Sequence, residues 1–439
     1  MQVKFSVNKK GKFKMKPTTA ILIGAGDRGA RAYAPYALKN PHELKIIGVA
    51  EPNELRRDKI KQEHNLSTED CFHSWEDLLT KEKTADIAII CTMDREHFGP
   101  TMKALELGYH VLLEKPMSPD PKECIAMEQQ AEKFNKQLTI CHVLRYTDFW
   151  STIKKVIEDG KIGEVASIQL NENVEVMHMS HSFVRGNWKK KEDSSPMILQ
   201  KSCHDMDIIR YVINKKCERV SSYGSLMHFR KENMPAGAPK RCLDGCPAAQ
   251  SCPFHAGNYY LGEGRRWARK FTEDTSNEGI IKALNETDYG KCVYQLDNDV
   301  VDHQVVNMEF EDGATATFSM CGFTREQTRT VQIMGTKGEL RGNMTENQIS
   351  YYDFLTKHET IVKFDSPTGG HGGGDLGIMR DFLIDIQQSD RSKSVSSASN
   401  SLSSHLMAFA AEESRLNKGT SIELDTFYNN LSKQYSVME

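Results

Sequence analysis

Short hydrophobic runs and amphipathic segments alternate through the first third of the chain. Apolar or β-branched runs at Thr18–Ile23, Leu44–Ala50, Asp86–Cys91 and Tyr109–Leu113 predict buried parallel strands. The charged or amphipathic segments between them predict helices. This βαβ repetition predicts an α/β fold in which a doubly wound parallel sheet binds its ligand at the carboxyl ends of the strands.

After about Cys141 the pattern changes to longer runs in which polar and apolar positions alternate. The longest is Val165–Val176, and further runs follow at Ser221–Phe229, Val301–Phe310, Thr315–Phe318, Arg329–Met334, Ile349–Phe354 and Thr360–Phe364. Turns at 311–313 and 336–338 join some of these runs into hairpins. We therefore predict a second, α+β domain with a large, mostly antiparallel open sheet.

These patterns divide the 439 residues into segments. We expect an N-terminal extension at 1–17, an NAD(P)-binding Rossmann domain at 18–145, an α+β domain at 146–425 and a C-terminal tail at 426–439. A cysteine-rich insertion at 230–293 interrupts the second domain and is expected to have no core of its own.

The first strand leads directly into a glycine-rich turn of the form G-x-G-x-x-G. Its first glycine permits a tight turn, its second leaves room for a pyrophosphate, and its third lets the following helix pack close to the strand. The predicted cofactor-binding loop comprises Gly24, Ala25, Gly26, Asp27, Arg28 and Gly29.

The second strand ends at Glu51, close to the position expected for an acid that binds the ribose of a dinucleotide. A carboxylate there favours NAD because it repels the additional phosphate of NADP. Arg56 and Arg57 follow soon afterwards and could accommodate that phosphate, so NADP stays an alternative.

Two further strand ends carry residues suited to the cofactor groove. Thr92 and His97 follow one strand, and Glu114 and Lys115 follow the next, before Pro116. A lysine at a buried strand end needs an anionic or hydroxylic partner. The alternative is a solvated lysine that precedes a helix-starting proline.

Together these motifs resemble the glucose–fructose oxidoreductase and inositol dehydrogenase family, called Gfo/Idh/MocA. The resemblance extends from about Thr18 to about Asp425, and Glu114-Lys115-Pro116 is its most specific part. It implies an oxidoreductase that acts on a sugar, inositol or related polyol. It also implies a homodimer or homotetramer that assembles through the second sheet.

Residues 196–213 have helical periodicity and many titratable groups. Oxidation of a secondary alcohol needs a base for the hydroxyl proton and a group that steadies the oxygen. We assign these roles to His204 and Lys115, since the resemblance places a histidine here beside the nicotinamide. The aspartate usual in the family is replaced by Gln200, and Lys201 is our hypothetical second proton or hydroxyl ligand.

Other polar and aromatic residues are candidates for contacts with the substrate. A histidine- and tryptophan-containing segment precedes the proposed helix, and a glycine-rich loop lies at 366–375. A solvated loop and a flexible linker are the respective alternatives. The predicted substrate-binding residues are Arg145, His181, Arg185, Trp188, His204 and His371.

Four cysteines of the insertion could form a tetrahedral structural zinc site. They are Cys242, Cys246, Cys252 and Cys292, and His255 competes for the fourth position. Ordinary reduced thiols are the alternative.

The composition of 57 basic and 60 acidic residues, a formal net charge of −3, gives no electrostatic reason to expect nucleic acid or a membrane surface as a partner. No apolar run resembles a signal peptide or a membrane span, so we expect a cytoplasmic protein. Our prediction is an NAD(P)-dependent oxidoreductase. The alternatives are a redox-neutral NAD-dependent glycoside hydrolase and a non-catalytic nucleotide- and sugar-binding regulator.

Overall fold

The computed structural model describes residues 16–80, 82–365, 370–387 and 396–436. Most of the predicted N-terminal extension, part of the glycine-rich loop at 366–375 and residues 388–395 lie outside these ranges. Within them, no helix combines the length and apolar character that crossing a bilayer requires.

The first domain is built on a six-stranded parallel sheet, as the alternating pattern predicted. The strands are β1 Thr18–Ile23, β2 Leu44–Ala50, β3 Cys71–Phe72, β4 Ile87–Ile90, β5 His110–Leu113 and β6 Leu138–Ile140. Their order in the sheet is β3-β2-β1-β4-β5-β6. The order reverses beside β1, so the glycine-rich turn lies where a doubly wound sheet binds its ligand.

Helices connect these strands. A π-helical segment, Asp27–Tyr33, follows the glycine-rich turn and continues into α1. The remaining connections use α1 Ala34–Lys39, α2 Glu54–Glu63, α3 Trp75–Leu79, α4 Phe98–Glu106 and α5 Pro121–Lys133. Side chains of Asn53, Ser74 and Asp120 cap the first turns of α2, α3 and α5 by accepting backbone N–H groups.

The second domain contains a nine-stranded mixed sheet that is mostly antiparallel. Its order is β14-β13-β12-β11-β7-β10-β9-β8-β15, and only β7 and β10 pair in parallel among the strands described. The strands are β7 Val165–Glu175, β8 Cys217–Ser225, β9 His303–Phe310, β10 Thr315–Thr324, β11 Thr328–Gly335, β12 Gly338–Asn343, β13 Gln348–Asp353, β14 Glu359–Lys363 and β15 Ile422–Glu423.

One face of this sheet is buried and the other faces outward. Inward positions such as Leu170, Phe318 and Ile333 are almost fully buried, which follows from the alternation of their strands. The buried face joins the main hydrophobic core, which continues into one side of the first sheet.

Helices of the second domain pack on both sheets. They are α6 Asp148–Glu158, α7 Val176–His178, α8 Met197–Gln200, α9 Cys203–Ile213, α10 Ala256–Leu261, α11 Arg265–Ala268, α12 Asn277–Glu286, α13 Gly374–Asp385, α14 Ala398–Leu416 and α15 Leu424–Ser436. Phe382 of α13 lies in the core on the other side of the first sheet. The stretch after residue 425, predicted as a C-terminal tail, belongs to α15 as far as Ser436.

Two expectations about these elements were wrong. The predicted single helix at 196–213 is divided into α8 and α9, because the backbone at Ser202 leaves helical geometry. The insertion does have a small core of its own, formed by Cys242, Ala256, Tyr260, Ala268, Ile280 and Leu284. Three short helices supply it, and their apolar spacing was not part of the sequence interpretation.

Candidate active site at the edge of the first sheet

The glycine-rich turn has the geometry that a dinucleotide requires. Gly24 has a φ of 87°, and a Cβ added there would lie 2.6 Å from the carbonyl oxygen of Cys91. A Cβ on Gly29 would lie 2.0 Å from the carbonyl oxygen of Gly24. A Cβ on Gly26 would meet nothing within 4 Å, so the space in front of this glycine is open for a pyrophosphate.

Glu51 is fixed at the end of β2 beside this turn. Its side chain accepts the backbone N–H of Ala25 at 2.6 Å and that of Asn53 at 2.9 Å. Arg57 donates to the carbonyl oxygen of Glu51 at 2.6 Å, and Arg56 is exposed. The carboxylate is thus held where it can accept hydrogen bonds from ribose hydroxyls.

Arg28 of the turn is partly exposed and pairs with two buried carboxylates. It donates to Glu114 at 2.6 Å and to Asp375 of α13 at 2.8 Å, and Tyr33 donates to the same oxygen of Glu114 at 2.6 Å. Burial alone would raise the pKa of Glu114, but the charges of Arg28 and Lys115 and these hydrogen bonds hold it below its ordinary value. The Arg28 side chain therefore positions two loops, and its guanidinium is engaged by protein carboxylates.

The predicted cofactor residues after β4 are tied to the loop after β5. The His97 ring lies 2.7 Å from the carbonyl oxygen of Pro116 through Nδ1 and 3.3 Å from that of Thr92 through Nε2. The Thr92 hydroxyl donates to the carbonyl oxygen of Glu96 at 3.1 Å. These contacts give His97 a positioning role between two strand ends.

Lys115 connects the first domain to the helices that carry His204. Its ammonium donates to the carbonyl oxygen of Gln200, the last residue of α8, at 2.9 Å. This bond uses one of three ammonium protons, so the lysine keeps donors for a further oxygen.

His204, in the first turn of α9, is buried among cations and other histidines. Its ring centroid lies 5.9 Å from that of His142 and 6.0 Å from that of His371. Burial, the positive charge of Lys115 and the neighbouring rings lower the pKa of His204 well below its ordinary value. Its Nδ1 is buried without a hydrogen-bond partner in the described part of the chain. The ring is therefore neutral and has a nitrogen available to a ligand.

Comparison with known protein families identifies the two domains. Residues 19–142 match the family model described as an oxidoreductase family with an NAD-binding Rossmann fold, and residues 154–394 match the model of that family's C-terminal alpha/beta domain. The chain belongs to the Gfo/Idh/MocA oxidoreductase family. The resemblance expected from the sequence motifs is thus confirmed, together with the NAD-binding fold and the oxidoreductase class.

Individual relatives are distant. A Bacillus subtilis protein named as an oxidoreductase, YteT, is 24% identical over 72% of this chain and 75% of its own length. The scyllo-inositol 2-dehydrogenase (NADP(+)) IolW of the same organism is 23% identical over 42% of this chain and 49% of its own length. A solved levoglucosan dehydrogenase, in complex with NADH and levoglucosan, superposes with a TM-score of 0.67 at 16% identity over 93% of this chain and 100% of its own.

Lys201 lies between α8 and α9 and is engaged by a carboxylate. Its Nζ lies 3.1 Å from Glu172 of β7, and Arg329 of β11 pairs with the same carboxylate at 2.6 Å. Arg329 also donates to Asp205 at 2.7 Å. Burial raises the pKa of Asp205 to about 6, although Arg329 opposes the shift.

Glu172 and Arg329 were absent from the sequence-based site, although a signal for Glu172 existed. It occupies an inward position of an alternating strand, between the buried residues Leu170 and Val174, where an unpaired carboxylate would be costly. Arg329 stands directly opposite Glu172 in the pairing of β11 with β7. A charged residue at an inward-facing position of an alternating strand was thus the sequence signal for the ion pairs of Glu172 with Lys201 and Arg329.

Arg145, predicted to bind substrate, forms a buried ion pair. It donates to Asp207 of α9 at 2.7 Å through Nε, and only 4% of its surface is exposed. Burial by itself would raise the pKa of Asp207, but Arg145 holds it below its ordinary value. Asp207 therefore fixes α9 to the turn that follows β6.

His181 and Arg185 contact the insertion, and Trp188 packs elsewhere. The His181 ring contacts the Tyr260 hydroxyl at 2.7 Å, and its centroid lies 4.8 Å from Trp267. Arg185 donates to the carbonyl oxygens of Phe254 at 2.7 Å and of Lys291 at 3.0 Å. Trp188 packs at the edge of the main core. The contacts of His181 and Arg185 hold the insertion in place.

The predicted zinc site is not supported. The four cysteines line one cavity of about 10 Å³, but the described residues include no group of three or more His, Cys, Asp or Glu placed to hold a metal ion. The Arg185 guanidinium lies 3.7 Å from the Cys242 sulfur and occupies one side of the cavity. None of the eleven cysteines forms a disulfide.

His371, predicted to contact the substrate, has its ring centroid 6.0 Å from that of His204. Its Nδ1 lies 3.0 Å from Asp375, and 39% of its side chain is exposed. Together with Arg329, Gln327, Asn347 and Phe149, it lines a cavity of about 370 Å³. A cavity of this size is within the range of small-molecule sites.

Proposed function

We propose that this oxidoreductase oxidises or reduces a hydroxyl-bearing carbon of a sugar, inositol or related polyol, with NAD as its preferred cofactor. The observation that carries the proposal is the hydrogen bond from Lys115 to Gln200, which joins the cofactor edge of the first sheet to the helices bearing His204. It brings two groups suited to one reacting oxygen to the same edge.

Each of these residues has a role that follows from its surroundings. NAD, when bound, supplies the acceptor for a hydride. Lys115 donates a hydrogen bond to the substrate oxygen and stabilises negative charge that develops on it. His204 contacts the same oxygen as a neutral ring, because burial and the Lys115 charge disfavour its protonated form.

The relatives support the substrate class. One is named as an inositol dehydrogenase and one structural neighbour was solved with levoglucosan. Both molecules carry several adjacent hydroxyl groups on a ring.

The preference for NAD over NADP rests on Glu51. Its carboxylate is buried beside the glycine-rich turn, and the nearby Arg57 guanidinium binds backbone carbonyl oxygens instead of facing a phosphate. The additional phosphate of NADP would meet the negative charge of Glu51, and of the two nearby arginines only Arg56 is exposed. The relative IolW is named as an NADP(+)-dependent enzyme, and the preference of this chain for NAD is therefore to be tested by experiment.

The replacement of the family's usual aspartate by Gln200 favours a second candidate, a redox-neutral NAD-dependent glycoside hydrolase. Such an enzyme reduces its own oxidised intermediate and so yields no net reduced cofactor. A regulator that only binds nucleotide and sugar is the third candidate, and it would have no use for Lys115 and His204.

The decisive experiment incubates the purified protein with NAD or NADP and a panel of polyols, aldoses and glycosides. Absorbance of the reduced nicotinamide and release of the leaving group are followed in parallel. Reduced NAD with one substrate class supports the dehydrogenase. Leaving-group release without it supports the hydrolase, and binding without either product supports the regulator.

We also propose a cytoplasmic homo-oligomer that assembles through the outer face of the second sheet. Tyr223, Val305, Tyr352 and Ile361 are each more than a third exposed, and strand pairing puts them on that one face. Exposed aromatic and aliphatic side chains on a broad sheet are typical of subunit interfaces. Free thiols throughout the chain fit a reducing compartment.

A further inference from the structure

Two neighbouring histidines of the site have buried ring nitrogens without hydrogen-bond partners. His142 lies two residues after β6 and is fully buried, and among the described residues neither its Nδ1 nor its Nε2 has a partner. The Nδ1 of His204 is likewise buried and unpartnered. The two rings meet edge to face, with centroids 5.9 Å apart. Because buried polar atoms are almost always paired, these three nitrogens indicate a hydrogen-bond chain.

Charged and titratable side chains surround His142. They are Asp207 and His204 of α9, Arg145 of the turn after β6, Lys115 after β5 and His405 of α14. The two cations donate to other acceptors, Arg145 to Asp207 and Lys115 to the carbonyl oxygen of Gln200. Cations cannot accept a hydrogen bond, and they disfavour a positive charge on the ring. His142 is therefore a neutral ring with one donor and one acceptor.

His405 cannot pair with His142, although their ring centroids lie 5.5 Å apart. Its Nε2 accepts the backbone N–H of Met117 at 2.9 Å, and its Nδ1 donates to the carbonyl oxygen of Ser401 at 2.7 Å. Both nitrogens of His405 are thus engaged. Among these neighbours, Asp207 and His204 remain as partners for the two nitrogens of His142.

Asp207 determines which nitrogen of His142 carries the proton. The carboxylate is ionised because Arg145 donates to it at 2.7 Å, and an ionised carboxylate can only accept. Its Oδ1 lies 3.6 Å from Nε2 of His142, just beyond hydrogen-bond distance. Catalytic hydrogen bonds are often long before a substrate binds. His142 therefore carries its proton on Nε2, and its Nδ1 is left as an acceptor.

His204 supplies the donor for that acceptor. A neutral ring that donates through Nδ1 presents Nε2 as its own acceptor. The order Asp207, His142, His204 thus pairs the three unpartnered nitrogens through two hydrogen bonds. It also leaves Nε2 of His204 ready to accept a proton.

We propose that His142, backed by Asp207, is a positioning residue that makes Nε2 of His204 the proton acceptor of the reaction. In the oxidation direction the substrate's O–H proton passes to this Nε2 and the hydride passes from the carbon to NAD. A carbon–oxygen double bond forms, the alcohol is oxidised and NAD is reduced. The Nδ1–H of the resulting imidazolium stays bonded to His142, through which Asp207 stabilises the new charge. This inference rests on the proposed dehydrogenase function.

The test compares the wild-type enzyme with His142→Leu and His142→Gln, using the substrate that the panel identifies. Leucine fills the space without hydrogen bonds, so His204 loses its fixed tautomer. We expect kcat to fall about 10-fold to 100-fold, a part of what a general base contributes, with KM changed less than about threefold. A glutamine amide can accept from His204 and donate to Asp207. His142→Gln should therefore keep kcat within about threefold of wild type.

The pH profile separates this role from packing. An acceptor beside Nδ1 favours the protonated form of His204, so its loss lowers the pKa of His204. The acidic limb of the kcat/KM profile should move to lower pH in His142→Leu, by roughly half to one pH unit, as expected for one hydrogen bond. Lys115, His371 and Arg329 also face His204, and the substitution does not alter them. A packing defect would lower the rate without moving the limb.

His64→Leu is the matched control. His64 is also a buried histidine with an unpartnered ring nitrogen, Nε2, but it lies at the C-terminal end of α2. Urea unfolding of every variant checks that the fold is retained. The assignment is wrong if folded His142→Leu has the kcat and the pH profile of wild type. It is also wrong if folded His142→Gln is as slow as His142→Leu.

A second measurement does not depend on turnover. Nitrogen chemical shifts of the histidine rings in cofactor-free protein should show His204 protonated on Nδ1 and His142 protonated on Nε2. The variants His142→Gln and His204→Gln assign these signals. Protonation of His204 on Nε2 alone would overturn the inference, whatever the enzymatic activity. The expected tautomers without turnover of any substrate would support the hydrogen-bond chain and overturn the proposed function.

Discussion

Single residues at the cofactor edge are held by bonds that fix their direction as well as their charge. Glu51 is anchored by two backbone N–H groups, and Glu114 by Arg28 and Tyr33. A carboxylate that is already oriented loses little conformational entropy when a ligand binds. These contacts among protein groups hold the motif residues in fixed orientations.

The role of Glu51 leads to a prediction about cofactor choice. Glu51→Ala removes both an acceptor for ribose hydroxyls and the negative charge that opposes NADP. We expect the Kd for NADH to rise about tenfold, equivalent to about 1.4 kcal/mol, and the Kd for NADPH to rise less or to fall. Fluorescence titration measures both constants. The exposed neighbour Glu54 provides a control, as Glu54→Ala, and equal losses for both nucleotides would contradict the prediction.

At the scale of elements, the insertion is joined to the glycine-rich turn. Lys270, which follows α11, lies 2.6 Å from Asp27, the residue after Gly26. Burial would raise the pKa of Asp27, but Lys270 and two arginines hold it below its ordinary value. The insertion thus neutralises a carboxylate that would otherwise repel a bound pyrophosphate.

Removing this contact tests the link between the insertion and the cofactor. Lys270→Met should weaken NADH binding about threefold to fivefold, because an ion pair near the surface is worth up to about 1 kcal/mol. The double variant with Asp27→Asn should regain most of that loss. Isothermal titration measures the effect, and Lys282→Met at an exposed position of α12 is the control. Equal NADH affinities for Lys270→Met and wild type would disprove the link.

The periodicity of the sequence predicted the long strand β7 well, but it did not predict the break between α8 and α9. The alternating run predicted at Val165–Val176 is confirmed nearly to the residue as β7. The division between α8 and α9 had no proline or glycine to signal it. It coincides with the place where Lys201 turns toward Glu172 and Lys115 reaches the Gln200 carbonyl. Contacts with residues that lie far away in the sequence therefore determine where this helix is interrupted.

For the whole molecule, the exposed sheet face predicts assembly. Val305→Glu combined with Tyr223→Glu places charge on adjacent strands at paired positions. Burying these charges between subunits would be costly, so we expect the oligomer to dissociate toward monomer. Light scattering after size-exclusion chromatography gives the mass. Leu55→Glu, which is 75% exposed on α2, is the control, and an unchanged mass in the double variant would rule out this face.

Buried histidines predict how the stability of the whole molecule depends on pH. Burial lowers the pKa of His405 to about 4 and that of His142 to about 3, below the ordinary 6.5. His405 also accepts the Met117 N–H at 2.9 Å, which its protonated form could not do. The unfolded state therefore binds more protons below pH 6.5. Stability is fully present above that pH and declines as the pH falls toward 4 and 3.

Urea unfolding at pH 7, 6 and 5 tests this dependence. Each such histidine contributes up to about 1.4 kcal/mol of lost unfolding free energy per pH unit below 6.5. His405→Gln, whose amide can still accept and donate but does not titrate, should flatten the slope. His42→Gln is the control because His42 is 75% exposed. A free energy that is constant from pH 7 to 5 would contradict the argument.

The sequence by itself determined the fold class, the dinucleotide turn and the family, because each depends on local periodicity or on closely spaced motifs. Gly24, Glu51 and Lys115 could be identified for this reason. Tertiary structure alone decided the partners of charged groups that lie far apart in the chain. Arg145 pairs with Asp207, Lys201 with Glu172, and Arg28 with Asp375. The distance between partners in sequence carries no information about their distance in space, so these pairings required the folded chain.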